Sequence, residues 1–200
     1  MQGSKTDMPK LSAILITFNE ELDLPDCLAS LKKLHDDMEI IVVDNNSTDA
    51  TRDIAQAAGA KVILRTFDNY ASQRQASLEA AQGDWALWID ADERVTPQLH
   101  RDITEVLSSP PADIAGFDIP FAVYFMGRKL RFGGLGSEHH VRLFRRESAR
   151  FTGGALHETI EISGTIAPLS GQMQHIPYRD LNDYLGKLPD YTSKAAAARV

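Results

Sequence analysis

The first 111 residues alternate two hydrophobic periods, and that alternation restricts the fold more than any other feature of the chain. Short apolar runs at Leu11–Thr17, Glu39–Asp44, Lys61–Leu64 and Trp85–Ile89 read as buried strands. Stretches of helical spacing separate them. Leu24, Cys27, Leu28, Leu31 and Leu34 form one apolar stripe. A second helix runs through Ile54 and Ala58 and is stopped by Gly59, and a third spans Ala71 to Gln82 before Gly83. Thr96-Pro97 starts a fourth, with a capping hydroxyl and then proline at the first helical position. Leu99, Ile103, Val106 and Leu107 are its apolar face, and Ser108-Ser109-Pro110-Pro111 ends it. Such alternation predicts a parallel sheet covered on both faces.

After Pro111 the pattern changes. Ile114 to Phe125 and His139 to Arg145 read as long strands around a Gly133-Gly134-Leu135-Gly136 loop. Thr159 to Ser163 alternates as a half-buried strand does, and Leu181, Tyr184, Leu185 and Leu188 mark a helix. The alanine-rich residues 193–200 carry no helix stop signal, so a C-terminal segment is expected outside this sequence. Residues 1–9 lack an apolar signal core and read as a disordered tail. The remaining residues, 10–200, suit one domain.

Composition excludes several classes. With 21 basic against 28 acidic side chains the net charge is −7, which argues against a nucleic-acid partner. The single cysteine, Cys27, excludes a disulfide framework or a cysteine-based zinc cluster. It fits a reducing, cytoplasmic compartment. No apolar run approaches the ~18 residues of a membrane span.

Open α/β sheets bind ligands beyond the carboxyl ends of their strands. Polar clusters follow all four early strands: Thr17-Phe18-Asn19-Glu20, Asp44-Asn45-Asn46-Ser47, Thr66-Phe67-Asp68-Asn69 and Asp90-Ala91-Asp92. Any one reads as a capped turn; four on one rim make a polar crevice. Neither Gly-x-Gly-x-x-Gly after the first strand nor Gly-Lys-Ser/Thr is present, which disfavours nicotinamide and P-loop enzymes. A bound diphosphate must then be neutralised without a glycine cradle. Asp90-Ala91-Asp92 offers hard oxygen ligands suited to Mg2+ or Mn2+, which can bridge phosphates.

Three segments in order carry a family resemblance: Leu15-Ile16-Thr17-Phe18-Asn19-Glu20, Ile41 through Asp49, and Trp88-Ile89-Asp90-Ala91-Asp92-Glu93. The chain resembles a family 2 glycosyltransferase of the GT-A fold, and within it the lipopolysaccharide-core β-1,4-glucosyltransferase branch. Gln73-Arg74, Arg142 through Arg146 and His157-Glu158 extend the likeness over roughly residues 10–195. The resemblance implies an α/β fold with a mostly parallel central sheet flanked by helices. It implies a nucleotide-binding half at 10–111 and an acceptor-binding half at 112–200. The implied partners are a nucleotide-diphospho-sugar donor, UDP-glucose first, and a glycan or lipid-linked glycan acceptor, with a peripheral contact at the inner membrane.

Residue roles follow from the same resemblance. Thr17 lines the nucleotide pocket, with Asn19 and Asn46 in the neighbouring loops, and Asp44 hydrogen-bonds uracil or ribose. Asp90 touches ribose or assists the metal, and Asp92 ligates Mn2+ or Mg2+. Glu20 and Asp49 are expected to cap helices and support these loops. Arg74 reads equally as a contact to the sugar or diphosphate and as a solvated helix arginine. Arg142 lies on the opposite strand face from Arg145, so only part of the arginine set faces the crevice. Glu158 is the expected base for the acceptor hydroxyl, with His157 orienting the site or contacting the diphosphate. Asp118 and Glu138 are the other acidic positions near the rim. His175 reads as a metal ligand or as a structural hydrogen-bonding histidine. The Gln-x-x-Arg-Trp motif of processive synthases is absent, which favours transfer of one sugar per acceptor. A sugar-nucleotide pyrophosphorylase would carry a glycine- and arginine-rich first loop, and a binding protein without turnover would lack Asp92 or Glu158.

Overall fold

Strand β1 (Leu11–Thr17) is apolar on both faces, so it must be covered on both. In the computed structural model, which describes residues 10–32, 34, 38–130, 138–153 and 158–186, it lies inside a parallel array. β2 (Glu39–Asp44) pairs along one edge, from Ser12↔Glu39 to Thr17↔Asp44. β4 (Trp85–Trp88) pairs along the other, and β3 (Lys61–Leu64) lies outside β2. One face buries Leu11, Ala13, Leu15, Val42 and Leu87 against helices α1 (Leu24–Leu31), α2 (Thr51–Ala57) and α4 (Pro97–Ser108). The other buries Ile14, Ile41 and Ala86 under α3 (Tyr70–Glu79) and the antiparallel hairpin β9–β10 (Ala149–Gly153, Glu158–Ile162).

Beyond β4 the sheet becomes mixed. β8 (His139–Arg145) runs antiparallel to β4, and β6 (Ile114–Phe125) antiparallel to β8. Along β6 lie the parallel strands β11 (Thr165–Pro168) and β12 (Met173–Tyr178), with the short β7 (Arg128–Lys129) antiparallel to its end. β12 in turn pairs antiparallel with β5 (Glu93–Val95). The sequence pattern shows the first-half strands and the two long ones, but not β5, β9, β11 or β12. β5 is buried but only three residues long and carries Glu93 and Arg94, and the others are short and partly exposed, so all lack the apolar run by which a buried strand is recognised. Phe117, Phe121, Leu143 and Met173 join the same buried cluster as Leu11 and Leu15, so one core links segments on either side of Pro111.

Two local devices set the rim. Because β1, β2 and β4 are parallel, Thr17, Asp44 and Trp88 end at the same side, and their following loops converge there. The entry to β4 is equally fixed. The Gly83 amide donates to Ser12 Oγ at 2.8 Å. A Cβ at Gly83 would sit 2.6 Å from that oxygen and 2.8 Å from the Lys10 carbonyl oxygen. Gly83→Ala therefore overpacks the turn and is expected to lower stability by about 1–3 kcal/mol. Urea denaturation checks this; a midpoint equal to that of the parent protein would contradict the close approach.

Candidate active site

At the carboxyl rim of β1, β2 and β4 lies a cleft of about 580 Å3. Its walls come from four sources. The loops after β1 and β2 supply Thr17, Phe18, Glu20 and Asn45; α3 and the segment before it supply Phe67, Tyr70, Gln73 and Arg74. The loop after β4 supplies Asp90, Ala91, Asp92 and Glu93, and the mixed part of the sheet adds Phe121, Glu138, His140, Arg142 and His175.

The first loops are braced by buried hydrogen bonds. Asp44 is fully buried. Its carboxylate accepts from Thr17 Oγ1 at 2.9 Å, from the Ser47 amide at 2.9 Å and from Ser47 Oγ at 2.5 Å. It thus meets the cleft through Thr17 and Asn45 and does not line it itself. Asn19 and Asn46 both have φ near +55°, a conformation asparagine tolerates better than most residues. Asn19 Oδ1 accepts from the Thr48 amide at 2.9 Å, and Asn46 Nδ2 donates to Thr66 Oγ1 at 3.2 Å, so both tie loops together outside the lining. Asp49 supports the same loops by accepting from the Thr51 and Glu21 amides. Glu20 faces the cleft while its amide donates to Thr51 Oγ1 at 2.7 Å.

The centre of the cleft is an ionic lattice built on Trp88. The Arg74 and Arg142 guanidiniums lie 4.3 and 3.9 Å from its ring centre, within cation–π range. Asp90 receives Arg74 at 2.7 Å on one oxygen and Arg142 at 3.1 Å on the other. Arg142 also donates to Glu93 at 2.5 Å, and Glu93 accepts from the Asp90 amide at 2.9 Å. Burial works against charge on Asp90, but the two guanidiniums outweigh it and hold its carboxyl well below the usual carboxylate range. Glu93 goes the other way. Burial, aided by the nearby Asp90 and Asp92 charges, pushes it up to about 7 despite Arg142. Arg94 clamps the loop from beneath, donating to the Ala91 carbonyl at 2.7 Å and the Glu93 carbonyl at 2.9 Å.

Strand pairing delivers the remaining ligand-type groups. His175 of β12 sits opposite Glu93 of β5, and the Ile176 amide donates to the Asp92 carbonyl at 2.9 Å. This places His175 Nε2 3.3 Å from Asp92 Oδ2. Burial opposes the imidazolium, yet the hydrogen bond to Asp92 and its charge raise the proton affinity of His175 above its ordinary value. Among the described residues no three His, Cys, Asp or Glu side chains cluster as a closed metal site. One carboxylate and one imidazole facing a cleft fit an ion that takes its other ligands from a bound molecule. Asp90, with both oxygens on arginine, is engaged elsewhere.

Of the residues singled out from sequence, Thr17, Glu20, Arg74, Asp90, Asp92, Arg142 and His175 meet in this cleft. Arg145 is on the far side, bonded to the Ile114 and Pro111 carbonyls, and Arg146 donates to the Gly83 carbonyl. Asp118 pairs with His139 at 3.3 Å, away from the lining, whereas Glu138 lines the cleft. Glu158 opens β10 with its backbone opposite Gly153; its side chain and His157 lie outside the described residues. Sequence reasoning quoted Trp88 and Glu93 within a motif without giving them a role, and missed His140. Strand alternation carried back from Arg142 would have brought in His140 together with Glu138.

The fold is that of the GT-A glycosyltransferases. The family model described as "Glycosyl transferase family 2" matches residues 12–155, and the chain belongs to that family. An uncharacterised glycosyltransferase of Rickettsia typhi is 30% identical over 94% of this chain and 68% of its own length. The lipopolysaccharide core biosynthesis glycosyltransferase LpsC of Rhizobium meliloti is 29% identical over 96% of this chain and 73% of its own. Among solved structures, S. aureus TarS 1–349 superposes with a TM-score of 0.62 at 20% identity, over 84% of this chain and 61% of that one. Glucosyl-3-phosphoglycerate synthase from Mycobacterium tuberculosis, solved with Mn2+, UDP and phosphoglyceric acid, gives 0.58 at 19% identity, over 89% and 74%. These likenesses are likenesses of fold.

The lattice makes Arg142 a structural cation as well as a cleft residue. Arg142→Met leaves the buried Glu93 and the partly exposed Asp90 with one cation fewer, and should lower stability by about 3–5 kcal/mol. Adding Glu93→Gln removes the uncompensated charge and should restore part of that loss. Urea denaturation of the single and double variants tests the pair; equal stability of Arg142→Met and the parent protein would refute it.

Proposed function

We propose that this chain is an inverting hexosyltransferase that moves one sugar from a nucleotide-diphospho-sugar, UDP-glucose first, to a glycan hydroxyl. The acceptor class is a lipopolysaccharide core or another lipid-linked glycan. The observation that carries the reading is the pairing of Asp92 and His175 beside the Arg74–Asp90–Arg142 lattice, at the carboxyl rim of a parallel sheet. The LpsC relative supports the acceptor class. Such an acceptor calls for contact with the cytoplasmic face of the inner membrane. The contact is peripheral in this reading; among the described residues no helix is long and apolar enough to cross a membrane.

In this account the nucleoside enters between the β1 and β2 loops, where Thr17 and Asn45 face the cleft with Phe67 and Tyr70. The diphosphate lies toward Arg74 and Arg142. Asp92 and His175 would hold Mn2+ or Mg2+, with imidazole favouring Mn2+. When bound, the ion supplies charge neutralisation for the departing diphosphate. Glu158 takes the proton from the acceptor hydroxyl. The acceptor oxygen then bonds to the anomeric carbon from the face opposite the diphosphate, and the bond to the diphosphate oxygen breaks. The nucleoside diphosphate leaves with that electron pair, and the anomeric configuration inverts.

Two variants separate binding from chemistry. Asp92→Asn keeps shape but removes the charge that balances a cation. Calorimetry should show UDP binding that Mn2+ tightens in the parent protein and no longer tightens in the variant; sugar transfer undiminished in excess chelator would contradict the metal assignment. Glu158→Gln keeps size but cannot accept the proton. Turnover should fall by about 10²–10⁴-fold with UDP affinity little changed. Near-normal turnover at saturation would move the base elsewhere, with Glu138 the next candidate.

A further inference from the structure

An exposed apolar side chain held in a costly backbone conformation asks for a partner. Met126 is such a residue. With Gly127 it forms the tip of the β6–β7 hairpin, and the two have φ of +49° and +74°. Two successive left-handed residues make a tight hairpin turn whose first position favours asparagine or aspartate. A bulky side chain is costly there, yet Met126 is 56% exposed.

A second exposed apolar element stands beside it. The Phe125 ring meets Tyr178 edge to face at 6.1 Å and Tyr184 at 5.8 Å, and the two tyrosines meet at 5.0 Å. Tyr184 belongs to the helical residues 181–186, which present Leu181 and Leu185 at i, i+4 spacing, each 51% exposed. Polar groups fasten this turn of helix. Asp180 accepts from the Asp183 amide at 2.9 Å, and Asp183 accepts from the Arg179 amide at 3.0 Å. Arg179 lies 3.7 Å from Asp23, which lies 3.7 Å from Arg94 beneath the Asp92 loop.

Topology puts both elements on the side of the cleft. β6 runs parallel to β4 because each is antiparallel to β8, and β12 runs parallel to β6. Their ends therefore point to the rim where Thr17 and Trp88 end. Phe121 and His175 line the cleft, and Phe125 and Tyr178 follow them on the same strands. At the rise of a strand, the patch begins within about 13 Å of the lining.

The chemistry of the patch selects a bilayer. Arg128 and Lys129 follow the tip and are exposed, and Lys129 donates to the neutral Gln172 Oε1 at 2.7 Å. In a chain of net charge −7, two cations thus sit next to the apolar tip. Tyr124, Tyr178 and Tyr184 stand behind it, half-buried. An apolar tip, tyrosines set back from it and basic residues beside it match the hydrocarbon, interfacial and anionic headgroup layers of a membrane surface.

We propose that the Met126 hairpin tip and the helix face of Leu181 and Leu185 dock on an anionic lipid bilayer and hold the mouth of the cleft toward it. The choice of a bilayer rests on the lipid-linked acceptor reading above and goes beyond it by naming the surface that makes the contact.

Co-sedimentation with phosphatidylcholine vesicles, with and without anionic phosphatidylglycerol, tests it. The parent protein should bind the anionic vesicles at least about tenfold more strongly than the neutral ones, as two basic residues at a charged surface imply. Met126→Asn removes the apolar tip and suits the turn better, so binding should fall at least about fivefold with no loss of melting temperature. Leu181→Ser combined with Leu185→Ser should weaken binding on the same scale. Binding that survives both changes overturns the surface, as does a parent protein that binds neither kind of vesicle. Equal binding to neutral and anionic vesicles overturns the anionic-lipid assignment. Self-association of the parent that Met126→Asn abolishes, without vesicle binding, makes a second copy the occupant and overturns the proposal. UDP calorimetry in solution keeps the two claims apart. Vesicle binding without UDP binding overturns the transferase reading and leaves the surface standing, whereas UDP binding without vesicle binding overturns the surface alone.

Discussion

Asp90 held between two arginines over Trp88 is the interaction on which the site depends. Its carboxylate joins α3, through Arg74, to β8, through Arg142, across the end of β4. Without that anion two guanidiniums, 4.3 and 3.9 Å from the centre of one indole ring, would lose the carboxylate they share. With it, the antiparallel part of the sheet is fastened to the parallel part at the place where the cleft opens. Glu93 extends the same tie by bonding Arg142 and the Asp90 amide together. The loop between β4 and β5 is therefore fixed before any ligand arrives, which is what preorganised electrostatic stabilisation requires.

The charges are also sorted by position. Arginine covers the Asp90 end of the loop, while Asp92 turns to a histidine delivered by β12. One aspartate is thus neutralised by protein and the other stays next to a group able to share a cation. Asp44 shows a third use of the same side chain: fully buried, bonded to neutral donors, and holding Thr17 and Ser47 in place. Three aspartates at or just past the ends of two strands perform three different jobs because their neighbours differ.

Much of this was legible in the sequence, for identifiable reasons. Long apolar runs and clear caps gave β1, β2, β4 and α4 within a residue or so: Thr96 caps α4 by accepting from the Leu99 amide, as Thr96-Pro97 predicts. Parallel strands put their loops on one rim, so the cluster of Thr17, Asp90 and Asp92 followed from topology. His175 was harder, since its meeting with Asp92 depends on β12 pairing with β5, and neither strand shows an apolar run. The fully engaged state of Asp44 was also hidden, because the reach of Ser47 back to its carboxylate is a matter of loop conformation.

In the proposed reading these features serve a cleft that activates the anomeric carbon of a nucleotide sugar toward attack from one face. Proton NMR of the reaction with UDP-α-glucose follows that carbon directly, with water as acceptor where no glycan is supplied. Inverting chemistry predicts that the first sugar signal to appear is the β-anomer, before mutarotation, in step with release of UDP. Release of α-glucose first would contradict the account, as would intact UDP-glucose in the presence of Mn2+ and a competent glycan acceptor.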